Sequence, residues 1–168
     1  MSNSKQGKGI IAVFVFYLVL LVWVVLLKTQ FSLADLSTTR HINLIPFYYE
    51  EETSGHLREV IDNILIFIPF GIYMRVAFRQ LPIGTSILII ALTSFVFETL
   101  QFVLSIGASD VTDIISNTMG AALGVALYTL LARIAKNNAV LDKVIVVASA
   151  ILMILAVAGA AFLLYVNQ

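Results

Sequence analysis

The chain has 168 residues, 60% of them hydrophobic and 12% charged, and its ten basic and ten acidic side chains cancel. Soluble domains carry about 25% charged residues, so this composition and a mean hydropathy of +1.00 point to an integral membrane protein and away from a soluble enzyme. The absence of any Lys/Arg block argues against a nucleic-acid partner, and the lack of cysteine excludes disulfides and thiol-ligated metals.

A membrane-crossing helix needs about 20 mostly apolar residues. The first such run covers residues 10–27. Lys5 and Lys8 precede it and Ser32-Leu33-Ala34 resembles a cleavage site, but its apolar stretch of about 18 residues is longer than the usual core of a signal peptide. It is read as a retained helix. A loop of about 30 residues follows, up to Glu59. Its segment NLIPFYY, Asn43 to Tyr49, is apolar and aromatic, broken by Pro46 and too short to span. Two readings are open: it lies at the headgroup level, where Tyr is enriched, or it dips back against the bundle. Glu50-Glu51-Glu52 reads as a solvated turn. The remaining predicted spans are 60–78, 83–106, 111–132 and 144–166, with the last two joined near Lys136 to Asp142. The fold class is therefore all-α, a polytopic transmembrane helical bundle of five spans, and residues 1–168 form a single integral membrane domain.

Basic residues set the orientation. With the N-terminus inside, the inner segments hold Lys5, Lys8, Arg75, Arg79, Arg133, Lys136 and Lys143, against Lys28, Arg40 and Arg58 outside. This bias predicts N-in/C-out. The acids then gather at the outer side, with Asp142 alone inside. That skew is separate from the insertion signal and marks the outer side as the place for chemistry.

Within the spans, polar residues recur at helical spacing. Glu98 and Gln101 share a face of the third helix. Asp110, Asp113 and Asn117 fall at i, i+3 and i+7 on the fourth, and Gly120 and Gly124 continue that stripe as a GxxxG pair suited to close helix approach. Asp62 and Asn63 occupy the same depth on the second helix. Simpler roles compete at each position. Asp110 is placed as a helix N-cap, Asp62 can pair with Arg58 at i−4, Pro69-Phe70-Gly71 can be a kink, and Asn63 and Asn117 can bond between helices. Glu98 and Asp113 have no Lys or Arg at i±3 or i±4, and an ionisable residue inside a span is a functional candidate by default. The expectation is that Glu98, Gln101, Asp113 and Asn117 converge between the third and fourth helices, with Asp62, Asn63 and Asp110 completing a ligand-binding cluster. Glu98 and Asp113 are the catalytic candidates, and no metal is assigned.

The segments NLIPF at Asn43 to Phe47, NILIFIPFG at Asn63 to Gly71, ETLQ at Glu98 to Gln101 and DVTDIISNTMGAALG at Asp110 to Gly124 resemble, in order and spacing, the VanZ-like family of small bacterial membrane proteins. The resemblance covers a core of about 40–130, and the first and last helices carry no motif. Many members have an Arg shortly before the aspartate pair, where this chain has Ile106-Gly107-Ala108. The family's founding member is associated with resistance to teicoplanin, a glycopeptide antibiotic acting on cell-wall precursors outside the membrane. The resemblance implies a multi-pass protein of the bacterial cell membrane with an envelope role at the outer leaflet, and a lipid-linked cell-wall precursor or a lipophilic glycopeptide as partner besides the bilayer. It implies no reaction and no cofactor.

Three functional classes fit this sequence. The first is a resistance or envelope protein binding a lipid-linked or lipophilic ligand at the outer cluster. The second is a membrane enzyme acting on an envelope lipid with Glu98 or Asp113 as general acid or base. The third is a small transporter subunit, which would want broken helices. Ser54-Gly55-His56 resembles one motif of lipid phosphatases, but the accompanying basic and second histidine motifs are missing. His41 and His56 are the only histidines, so a conventional zinc site is not expected. A carboxylate site for Mg²⁺ or Ca²⁺ stays open.

Overall fold

In the computed structural model, residues 2–26, 40–48 and 53–166 are described. Five helices long and apolar enough to cross a membrane are present. They are α1 (Ser2–Leu26), α2 (Thr53–Ala77), α3 (Ile83–Leu104), α4 (Val111–Ile134) and α5 (Asn138–Val166). The sequence-predicted spans match them in number and place. Ser32-Leu33-Ala34 and Glu50-Glu51-Glu52 lie outside the described residues. Three helices start earlier than their predicted spans: α1 at Ser2, α2 at Thr53 and α5 at Asn138, against 10, 60 and 144. Helix α2 starts at Thr53 because its first turns are amphiphilic, pairing His56 with Glu59 and Arg58 with Asp62 at 4.0 and 3.7 Å. The α4–α5 connection shrinks to residues 135–137, which draws Asp142 out of the expected loop and into α5.

Two short strands go beyond the sequence expectation. β1 (Arg40–Asn43) pairs in parallel with β2 (Gly107–Asp110), Arg40 opposite Gly107 and Asn43 opposite Asp110. Parallel strands need a long crossover, and here the α2–α3 hairpin supplies it. The pair sits where α1 and α3 finish and α2 and α4 begin, termed below the strand end. Backbone near a bilayer must find its hydrogen bonds within the protein, and the pairing satisfies a segment that is neither helix nor tight turn. The last turn of α3 closes on Ser105, a left-handed residue at φ 56° that lets Ile106 N–H reach the Gln101 carbonyl at 3.0 Å.

The tightest packing joins α2 to α4, and glycine makes it possible. A Cβ on Gly120 would run into the Ile64 carbonyl, one on Gly124 into the Ile68 carbonyl, and one on Gly71 into the Ala121 carbonyl. The expected close approach at Gly120 and Gly124 is thus real, and its partner is α2. Gly71, read from sequence as part of a kink, is the third member of the same seam. Pro69 does not break α2, which stays helical from Thr53 to Ala77. The proline lacks the N–H that would reach the Leu65 carbonyl; on the next carbonyl, that of Ile66, Tyr17 of α1 donates its hydroxyl at 2.7 Å. Aromatic rings fill the α1–α2 contact. Phe14 stacks on Tyr73 at 5.6 Å between centroids and meets Phe70 at 5.7 Å.

Helix α5 is the least engaged, with 6% of its spanning stretch buried. Its first turns are tied down at the end opposite the strands. Asp142 accepts a hydrogen bond from Tyr128 at 2.8 Å and pairs with Arg79, which also donates to the Tyr128 hydroxyl at 2.6 Å. This knot unites the α2–α3 turn, α4 and α5. Arg75 braces the turn by donating to the Leu81 carbonyl at 2.7 Å.

Candidate functional site at the strand end

The first turn of α4 organises the site. Asp110 is the N-cap: its Oδ1 accepts from Thr112 N–H at 2.7 Å, as its place before an apolar run predicts. Its Oδ2 accepts from Asn43 Nδ2 at 3.1 Å, tying β1 to the cap. The Asp110 N–H in turn donates to Glu98 Oε2 at 2.9 Å, and Ser109 donates its hydroxyl to the Glu98 carbonyl at 2.7 Å. Glu98 therefore clamps the end of α3 to the start of α4, with its side chain 4% exposed.

The other polar residues radiate from α4 and α3 toward different neighbours. Asp113 Oδ1 accepts from Asn63 Nδ2 of α2 at 2.8 Å. Asn117, 1% exposed, donates to Ser94 Oγ of α3 at 2.9 Å. Gln101, 3% exposed, donates through Nε2 to the Val25 carbonyl of α1 at 2.9 Å. Six of the seven candidates thus make hydrogen bonds near the strand end in four separate sets: Glu98 with Asp110, Asp113 with Asn63, Asn117 with Ser94, and Gln101 with Val25. Glu98 and Asn117 lie at the α3–α4 contact as expected, whereas Gln101 turns to α1 and Asp113 to α2. Asp62 stays apart, exposed and facing Arg58.

Two buried acceptors in these sets meet no donor: Gln101 Oε1 and Asn117 Oδ1. The bond from Gln101 to a carbonyl can only come from the amide nitrogen, so the oxygen must be the idle atom. Native interiors rarely leave such atoms unmet, and each one calls for an explanation. Together with the Glu98 and Asp113 carboxylates, they make the cluster rich in acceptors. Among the described residues, no group of three or more His, Asp or Glu side chains gathers as a metal-ligand set.

A short turn covers the cap. Ile45 to Tyr48 form a tight turn, closed by Tyr48 N–H on the Ile45 carbonyl at 3.3 Å, with Pro46 second and Phe47 third. Phe47 has φ 58°, where type II turns ordinarily place Gly or Asn. A bulky residue there is a strained outlier. Its N–H donates to Thr112 Oγ1 at 3.1 Å, and Asn43 holds the turn from both sides, donating to the Tyr48 carbonyl at 3.0 Å and accepting from Ile45 N–H at 3.1 Å. Of the two readings of NLIPFYY, this favours docking against the bundle, with exposed Leu44, Ile45 and Phe47 side chains on the far side.

Sequence reasoning missed Ser94, Thr112 and Asn43 as hydrogen-bond partners here. Ser94 stands four residues before Glu98 on the same face, and that spacing was the available signal. Thr112 and Asn43 act through contacts between distant segments, which spacing along one helix does not reveal.

No solved structure matches this chain. The family model described as VanZ/LLP1 matches residues 14–133. Protein VanZ from Enterococcus faecium is 38% identical over 151 residues, covering 89% of each chain. With that match running through all of the strand-end residues, the chain belongs to the VanZ/LLP1 family.

Proposed function

We infer that this protein acts in the cell envelope by holding a lipid-linked or lipophilic ligand at the strand end, placed at the outer leaflet, and that it lowers sensitivity to lipophilic glycopeptides such as teicoplanin. The observation that carries this reading is the pair of buried acceptors without donors, Gln101 Oε1 and Asn117 Oδ1, on the two helices that also carry Glu98 and Asp113 and whose ends meet a strained turn. Burying idle amide oxygens such as Gln101 Oε1 and Asn117 Oδ1 near a bilayer is expensive unless donors meet them. A ligand bearing hydroxyl or ammonium groups supplies such donors. Backbone strain concentrates at functional sites, and the Phe47 turn is such an outlier beside the cluster. The outer placement rests on the N-in/C-out bias of basic residues. A cysteine introduced at Lys136, in this otherwise cysteine-free chain, should be shielded from a membrane-impermeant maleimide in intact cells.

The phenotype provides the direct test. Expression in a susceptible Gram-positive host should raise the inhibitory concentration of teicoplanin more than that of vancomycin, because teicoplanin carries a lipid tail that keeps it at the outer leaflet. Unchanged sensitivity to both drugs, at verified membrane abundance, would remove the resistance reading.

A further inference from the structure

A groove of about 290 Å³ runs between α3 and α4 at the end of the bundle opposite the strands. Ile83 and Ile87 of α3 form one wall, and one face of α4 from Ala122 to Arg133 forms the other. Small side chains create it: Ala122 and Ala126 stand where larger ones would fill the space between the helices. Ile83 opens α3 and Arg133 lies in the last turn of α4, so the mouth of the groove lies at the membrane boundary. From Ala122, at the middle of α4, to Arg133 is about 16 Å at 1.5 Å per residue. That is one leaflet's share of a hydrocarbon core about 30 Å thick.

The polar groups on these walls select the occupant. Thr129 spends its hydroxyl on the Val125 carbonyl at 2.7 Å. Arg133 is exposed, and among the described residues it meets no carboxylate and makes no side-chain hydrogen bond. Asp142, the one acid at this end among the described residues, is taken up by Arg79 and Tyr128. The Arg133 guanidinium therefore keeps its charge for a partner outside the protein. Its planar fork matches a phosphate, and its stem can cover apolar wall while the head reaches the headgroup level. An apolar trough one leaflet long with a cation at its mouth complements a hydrocarbon chain that ends in an anion. A free anion would leave the trough bare, and a void there forfeits the contacts of every lining atom. We propose that the α3–α4 groove holds an acyl chain of an anionic phospholipid in the leaflet opposite the strand end, with its phosphate on Arg133. This site is separate from the strand-end residues and does not depend on the function inferred above.

The test uses the full chain reconstituted in phosphatidylcholine vesicles doped with one of two probes, a phosphatidylglycerol or a phosphatidylcholine bearing the same diazirine-modified acyl chain. After irradiation, adducts are mapped residue by residue. Leu130 lines the groove, whereas Leu127, also exposed, does not. The phosphatidylglycerol probe should label Leu130 about fivefold more than the phosphatidylcholine probe, the factor that one basic residue contributes at an anionic lipid surface. The two probes should label Leu127 alike. Arg133→Gln should erase the preference at Leu130, whereas Lys143→Gln, which removes the same charge from an exposed position on α5, should keep it. Equal labelling of Leu130 by the two probes in the unmodified protein would mean that only bulk lipid enters the groove, and would overturn the proposal. A preference that survives Arg133→Gln, is lost equally in Lys143→Gln, or appears equally at Leu127 would mean diffuse attraction to a basic surface, and would also overturn it. Labelling of Leu127 without Leu130 by both probes would show that protein, such as a second copy of the chain, covers the groove in place of lipid.

Discussion

Gly124→Val and Gly120→Val should each eliminate most of the folded protein, measured as the monodisperse fraction after detergent extraction and as the midpoint of its thermal unfolding. The new side chains would meet the Ile68 and Ile64 carbonyls of α2, not the yielding tips of side chains. Overpacking against movable side chains costs about 1–3 kcal/mol. Backbone cannot step aside so cheaply, because moving α2 away also unseats Gly71 from Ala121. A cost above about 3 kcal/mol is expected, a large part of the roughly 5–15 kcal/mol that holds a typical domain together. Gly159→Val is the matched control, since open space surrounds the position, and it should change neither readout. If all three variants behaved alike, the α2–α4 seam would not be the backbone contact described.

This seam also explains which parts of the fold are legible in the sequence. The spans are readable because a bilayer imposes length and apolarity on each helix separately. The GxxxG pair is readable because small residues four apart lie on one helix face. Gly71 is not, because Pro69 two residues earlier offers a competing explanation for the same stretch. The cap at Asp110 is likewise local and visible. The strand pair is not: Arg40-His41-Ile42-Asn43 and Gly107-Ala108-Ser109-Asp110 carry no alternating pattern, and their bonds join segments separated by two helices. Asp142 reads as a loop residue because a charge beside an apolar run resembles a boundary. Its partners come from the α2–α3 turn and from α4, and neither is near it in sequence.

The same division runs through the site. Depth and face of Glu98, Gln101, Asp113 and Asn117 follow from helical spacing, but the direction of each side chain depends on which helix stands opposite. Gln101 reaches α1 because the end of that helix presents the Val25 carbonyl. Asp113 reaches α2 because the glycine seam brings Asn63 alongside the first turns of α4. A neighbour's position is a tertiary fact, and spacing along one helix leaves it open.

Glu98→Gln and Asp113→Asn should each abolish protection against teicoplanin while membrane abundance stays near that of the unmodified protein. Both substitutions keep the shape and the mapped hydrogen bonds. In Glu98→Gln the new amide oxygen can still accept from Asp110 N–H, and in Asp113→Asn the new amide oxygen can still accept from Asn63. The charge is removed while these bonds can stay, so lost activity with retained folding would identify the carboxylates themselves as the working feature. Glu98→Ala separates this from structure. It orphans the Asp110 N–H at the start of α4, costs about 1–3 kcal/mol, and should lower abundance as well. If the two carboxylates serve one ligand, the double variant Glu98→Gln/Asp113→Asn should be no worse than either single, because groups acting as a unit are not additive. Full protection in both single variants would show that the charges do no more than hold the helix ends, and would transfer the search for the ligand site to the idle oxygens of Gln101 and Asn117.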